Sequence, residues 1–185
     1  MKTKLIFFLP GLHGGGAERV AVNILRKLDS QKHEIHLVLT EKKGRYLELI
    51  PEHVAVHDLK VSKTMFSILK LRKFVLLLNP DIIFSTLFRT HIAIDLALVG
   101  LTNKPKIVYR SPNSPKLLLE NNQLSLIMKT LLRRAYKNAD TIIAQTPEMK
   151  DEIIKYHKIK KDKIIVMLNP VDTEHIDKSV KNIRN

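Results

Sequence analysis

Apolar positions along the 185-residue chain switch repeatedly between two spacings. Lys4–Leu9 is a short apolar run of the kind found in buried strands. Ala17, Val20, Ala21, Ile24, Leu25 and Leu28 follow, at the i, i+3, i+4, i+7 spacing of a helix with one core-facing side. Ile35–Thr40, Val54–Leu59, Asp81–Thr86, Lys106–Arg110, Thr141–Gln145 and Lys163–Leu168 read as six further strands. Between them the pattern predicts helices over Thr64–Leu78, stopped by Asn79-Pro80, over His91–Leu101, and over Ser125–Lys137. A last helix opens at Thr146-Pro147-Glu148, with Thr as N-cap, Pro in the first helical position and an acid in the first turn. No internal repeat or low-complexity segment interrupts this order.

Strands alternating with helices imply right-handed crossovers and a sheet covered on both faces. The expected fold is therefore α/β: a Rossmann-like, doubly wound, mainly parallel sheet of seven strands, filling residues 1–170 as one domain. Ligands bind such sheets at the carboxyl ends of the strands. This directs attention to the loops at 10–16, 87–91, 110–115 and 145–147.

Composition narrows the partners. Lys and Arg number 32 against 18 acids, a net charge of +14, which points to an anionic partner: nucleic acid, a membrane surface or a phosphorylated substrate. Aromatic residues are 5% and Trp is absent, so base-stacking platforms are thin, and no helix-turn-helix, RRM or zinc pattern is present. Nucleic-acid binding stays open only as a reading of the charge. There is no cysteine, hence no disulfide framework or thiolate metal site, and the histidines lack metal-ligand spacing. The apolar stretch Leu5–Leu9 is shorter than a signal-peptide core, and no run is long enough to span a membrane.

Three consecutive glycines, Gly14, Gly15 and Gly16, stand between the first strand and the first helix. Glycine lets backbone approach a ligand closely, and the following helix start offers unpaired N–H groups and partial positive charge. Together they suit a phosphate or another anion. The spacing is neither the dinucleotide fingerprint, whose third glycine would fall where Arg19 or Ala17 stands, nor a Walker A loop. Glu18, in the first turn, suits the helix dipole as well as a ligand contact.

The stretch GGAERV, so placed, resembles the start of family 4 glycosyltransferases with the GT-B fold. NPDIIFSTLF, IVYRSPN, ADTIIAQTPEMKDEII and IIVMLNPVDTE resemble that family's later strands and its hinge, so that the likeness runs over about residues 3–175. The resemblance implies an enzyme of two facing Rossmann-like domains that moves a sugar from a nucleotide-sugar to an acceptor with retention and without a metal. It implies that this chain is the acceptor-side domain, that residues 171–185 are the hinge, and that the nucleotide-sugar, a co-substrate rather than a cofactor, is held mainly by a second domain. The family's paired glutamates at E-x7-E are not found here: Glu41 and Glu48 are seven apart, Glu148 and Glu152 four. The half-enzyme is expected to be inactive alone, with its glycine loop empty and mobile. By the same resemblance Gly14, Gly15 and Gly16 face the donor diphosphate. The loop after the fifth strand carries no histidine; Arg110 and Asn113 are its polar candidates for acceptor binding, with Arg89 after the fourth strand, and His91 is the candidate catalytic group. A nucleotide-sugar epimerase of the same fold is the alternative enzyme.

Two basic clusters coincide with surplus apolar residues. Lys63, Lys70, Arg72 and Lys73 interleave with Met65, Phe66, Leu69 and Phe74, while Lys129, Arg133 and Arg134 accompany Leu124, Leu126, Ile127 and Met128. This is the pattern of helices lying in an anionic membrane interface, with lysine stems reaching to the headgroups. It predicts a peripheral protein on the cytoplasmic face of the membrane, acting on a lipid-linked or polysaccharide acceptor of the cell envelope.

Overall fold

The computed structural model describes residues 1–120 and 124–170. The expected hinge at Val171-Asp172 and the segment to Asn185 lie outside the described residues. The chain alternates strand and helix: β1 (Thr3–Leu9), α1 (Gly16–Lys27), β2 (His33–Leu39), β3 (Val54–Asp58), α2 (Ile68–Leu78), β4 (Ile82–Ser85), α3 (Phe88–Ala97), β5 (Lys106–Arg110), α4 (Pro115–Glu120), α5 (Leu126–Asn138), β6 (Thr141–Ala144), α6 (Pro147–His157) and β7 (Ile164–Val166). Seven strands form one sheet in the order β3-β2-β1-β4-β5-β6-β7, every pair parallel. This is the expected doubly wound α/β fold.

The two-residue repeat of a strand sorts the core onto two faces. Leu5, Phe7 and Leu9 of β1 join Ile35, Leu37 and Leu39 of β2 beneath Ala21, Val22 and Leu25 of α1. Ile6 and Phe8 point the other way, with Ile83, Ile107, Tyr109 and Ile142, against α2, α3, α5 and α6. Strands covered on both faces carry unbroken apolar runs, which is why their periodicity is so visible in the sequence.

Element ends differ from the sequence pattern for local reasons. The helix expected at His91 starts at Phe88, because Leu87 already adopts the extended N-cap geometry. The helix expected from Thr64 opens as a 3-10 turn, Thr64–Ser67, before α2 proper. The last strand ends at Val166 rather than Leu168, which lies exposed beyond the sheet. Two elements carry no clear sequence signal: the 3-10 turn Arg45–Leu49 and the short helix α4. Helix α4 is tied at its start to α6, since Glu152 accepts hydrogen bonds from Ser114 Oγ and Lys116 N.

Candidate active site at the carboxyl edge of the sheet

The loops after β1, β4, β5, β6 and β7 meet at the carboxyl edge. They enclose a cavity of about 380 Å³, floored by Gly15, Gly16, Ala17 and Glu18 and walled by Leu87, Arg110, Pro112, Asn113, Gln145 and Asn169.

The glycine loop is anchored at several points, where an open loop was expected. Thr40 Oγ1 donates to Pro10 O, Leu12 exchanges backbone hydrogen bonds with Lys43 and Tyr46, and Tyr46 Oη donates to Gly14 O at 3.2 Å. Glu18, at the third position of α1, reaches back to accept from Gly14 N at 2.7 Å and Gly15 N at 3.2 Å. These bonds separate the roles of the three glycines. Gly14 has φ +122°, and a Cβ there would lie 2.3 Å from Arg45 Nε, so the fold itself requires glycine. A Cβ on Gly15 would meet only the Glu18 carboxyl, 3.9 Å away, and one on Gly16 would meet nothing within 4 Å. Packing inside the protein does not require glycine at either position; the missing side chains leave cavity space open.

The opposite wall is a polar network. Arg110, the last residue of β5, is 4% exposed and donates through Nη2 to Asn169 Oδ1, while its buried Nη1 has no hydrogen-bond partner among the described residues. Asn169 Nδ2 donates to Gln145 Oε1, and Gln145 Nε2 donates to Ser111 O and Pro112 O at 3.0 and 2.8 Å. Ser111 Oγ accepts from Tyr136 Oη and donates to Asn113 O, which fixes the turn that carries Asn113 into the cavity. Burial pushes the Tyr136 hydroxyl up to about 12, so it remains a donor.

The sequence candidates divide. Gly15, Gly16, Arg110 and Asn113 line the cavity; Gly14 stands behind it as the pinned turn. Arg89 is exposed, its guanidinium over the Phe88 ring, and is not among the lining residues. His91 is placed in the interior: fully buried, stacked on Tyr109 at 4.2 Å, with Nε2 on Ser85 O. A carbonyl can only accept, so Nε2 carries the proton. Burial lowers the His91 pKa to about 3, and the ring stays neutral, out of reach of a ligand in the cavity. Glu18, Gln145 and Asn169 belong to the site as well; their strand-end and helix-start positions were the only sequence signal for them.

The basic clusters are partly structural. Lys70 Nζ donates to Leu59 O, and Arg72 Nη1 donates to Ala97 O and Val99 O at the end of α3. Arg133 Nε donates to His157 O, and Arg134 pairs with the buried Asp95 at 3.4 Å. Lys63 lies over the Phe66 ring, and Lys73 is exposed. The apolar surplus divides: Phe66, Leu69, Leu126 and Ile127 are exposed, whereas Leu124 is buried and Met65, Phe74 and Met128 pack against the core; Leu76, Leu77 and Leu117 are exposed as well. Among the described residues no helix is long and apolar enough to cross a membrane, and no group of three His, Asp or Glu could hold a metal.

Comparisons with known proteins agree with this architecture. The profile of Glycosyltransferase Family 4 matches residues 14–175. The chain is 32% identical over 186 residues to the N-acetylgalactosamine-N,N'-diacetylbacillosaminyl-diphospho-undecaprenol 4-alpha-N-acetylgalactosaminyltransferase of Campylobacter jejuni, covering 94% of this chain and 49% of that relative. Among solved structures, Anabaena Alr3699/HepE in complex with UDP-glucose superposes with a TM-score of 0.71 at 15% identity, over 92% of this chain and 45% of that one. The UDP-GlcNAc 2-epimerase of Methanocaldococcus jannaschii superposes with a TM-score of 0.60 at 18% identity, over 90% of this chain and 45% of that one. The chain thus spans about half the length of these relatives.

Proposed function

This chain belongs to glycosyltransferase family 4, and we propose that it forms the acceptor-side half of a GT-B enzyme that moves a sugar from a nucleotide-sugar to a lipid-linked diphosphate acceptor. The observation that carries this reading is the clearance over Gly15 and Gly16: the cavity has room that internal packing does not use. Residues 1–170 supply this wall, and a second Rossmann-like unit entered through residues 171–185 supplies the main nucleotide-sugar site. Gly15 and Gly16 face the donor diphosphate, Asn113 faces the acceptor, and Arg89 serves an acceptor that extends past the cavity mouth. Transfer with retention is carried over from the family.

The acceptor's lipid portion is matched by the position of the exposed apolar residues. Crossover helices run antiparallel to the strands, so the starts of α2 and α5 lie at the carboxyl edge of the sheet, the edge that carries the cavity. Phe66 in the 3-10 turn before α2, Leu69 in the first turn of α2, and Leu126 and Ile127 at the start of α5 are all exposed, with Leu117 of α4. Lys63, Lys73 and Lys129 stand among them, as in a surface that enters an anionic membrane interface. The protein then rests peripherally on the cytoplasmic face of the membrane with the cavity mouth near the headgroups.

The test is transfer itself. Protein carrying the second unit is incubated with labelled nucleotide-sugars and a short-chain prenyl diphosphate-sugar, and organic-extractable label is measured. Acceptor-dependent extractable label is expected. Conversion of the nucleotide-sugar without acceptor would instead indicate an epimerase, and no product with any donor would refute transfer.

A further inference from the structure

Residues 167–170 form a strap over the carboxyl edge of the sheet. Met167 N still donates to Ala144 O, continuing the β6–β7 pairing beyond Val166. The chain then turns back across the ends of β6 and β5 toward α1, where Pro170 O accepts from Asn23 Nδ2 at 3.2 Å. Asn23 lies on the core-facing side of α1, 8% exposed, and this is the one hydrogen bond its side chain makes among the described residues. Asparagine is a poor residue for a helix interior, and a buried amide costs stability unless it is bonded. Core packing alone would be better served there by an apolar side chain; what the amide adds is a hold on the strap.

Asn169 is the exposed corner of the strap, and both ends of its side-chain amide are engaged. Oδ1 accepts from Arg110 Nη2, and Nδ2 donates to Gln145 Oε1 at 2.9 Å. Gln145 passes the constraint on. Its Nε2 donates to Ser111 O at 3.0 Å and to Pro112 O at 2.8 Å, and Ser111 Oγ donates to Asn113 O. Asn113 lines the cavity. Pro112 fixes its own φ, and Pro170 disfavours helical backbone at Asn169, so both ends of this path have little slack in which a displacement would be lost.

We propose that Asn169 and Gln145 are positioning residues for Asn113: the seat of the strap on the sheet edge sets the seat of the 111–113 turn, and with it the cavity wall that meets the acceptor. The proposal rests on the reading of Asn113 as an acceptor contact. In this arrangement Arg110 anchors the strap, its Nη1 closed off from solvent and its Nη2 on Asn169. The chain continues from Pro170 into residues 171–185, so a displacement of that segment reaches the cavity wall through two side-chain amides.

Amide resonances of the chain test the link. Pro112 O belongs to the peptide unit whose N–H is that of Asn113, so losing the Gln145 bond depolarises that N–H and moves its proton resonance upfield. Asn169→Ala and Gln145→Ala are each expected to shift Asn113 upfield, and the double variant to shift it no further than Gln145→Ala, as for members of one network. Asn169→Asp keeps the acceptor for Arg110 and loses the donor to Gln145, so it should match Asn169→Ala. Asn23→Ala releases Pro170 without touching Gln145 or the turn, and should shift Asn113 the same way by less. In protein carrying the second unit, Asn169→Asp is expected to raise the acceptor KM about fivefold, the net worth of one hydrogen bond, with kcat and the donor KM unchanged. The proposal is overturned if Asn113 keeps its wild-type resonance in folded Asn169→Ala and Asn169→Asp, or if the two alanine shifts add in the double variant. A fall in kcat at constant acceptor KM, the mark of general loosening, overturns it too. An unmoved Asn113 together with observed sugar transfer would remove the positioning role and leave the transferase reading standing.

Discussion

Glu18 and Gly14 are joined by a 2.7 Å hydrogen bond from the glycine amide to the glutamate carboxylate, four residues ahead in the chain. This bond, with its companion from Gly15 N, folds the glycine loop back onto the helix it precedes. The loop's shape is therefore set before any ligand arrives, and its two unneeded glycines are held open toward the cavity.

Removing the carboxylate should loosen the loop. Glu18→Ala is expected to lower stability by about 1 kcal/mol, the usual cost of losing a helix-start cap. Glu18→Gln, which keeps one acceptor oxygen, should lose less. Chemical denaturation of the two variants checks the order, and equal stability of all three proteins would contradict it.

The glycines should separate sharply on substitution. Gly14→Ala forces a side chain into positive φ and against Arg45, and is expected to destabilise by about 1–3 kcal/mol. Gly16→Ala occupies the first position of α1 in open space, and should be neutral or stabilising by up to about 1 kcal/mol. Melting curves that place both variants on the same side of the wild type would contradict the division of roles.

Two buried histidines give the fold an acid-side pH dependence. Burial lowers His91 to about 3 and His157 to about 4, against 6.5 when exposed. The unfolded chain therefore takes up protons first. Stability is fully present above 6.5, falls as pH drops from there toward the folded values, and levels off below them. Within that window each histidine contributes a slope of about 1.4 kcal/mol per pH unit. The double variant His91→Gln, His157→Gln should show a flatter profile between about pH 6.5 and 5, read from urea midpoints. An unchanged slope would show that neither ring is held neutral.

The basic surface should divide into structural and membrane-facing parts. Arg72 is tied to the carbonyls of Ala97 and Val99, so Arg72→Ala should lower the melting temperature and leave vesicle binding largely intact. Leu126 and Ile127 are 79% and 72% exposed, so Leu126→Asp with Ile127→Asp should leave melting unchanged and reduce flotation with anionic vesicles at low salt. The opposite pattern, or no flotation of the wild type, would remove the membrane surface from the account.

The frame of the fold was legible because its strands are buried on both faces and its helices on one, and both leave a periodic trace. The site was legible only in outline. That glycines, Arg110 and Asn113 sit at strand ends follows from the alternation of elements. That Gly14 differs from Gly16 depends on Arg45, and that Arg110 is half-satisfied depends on Asn169, 59 residues away. His91 looked available in the chain beside Arg89; its stacking on Tyr109 from β5 is a tertiary contact with no local signature. Helix α4 escaped notice because it is short and its start is held by Glu152 of α6.

Amide chemical-shift mapping of this chain with a short-chain prenyl diphosphate-sugar tests the central claim most directly, because it asks where the acceptor sits. The account predicts shifts concentrated at Gly15, Gly16, Ala17, Asn113 and Gln145, around the carboxyl-edge cavity. Shifts confined to the amino edge, around the separate cavity at Asn79, Asp81 and Asn103, or no shifts at all, would contradict it.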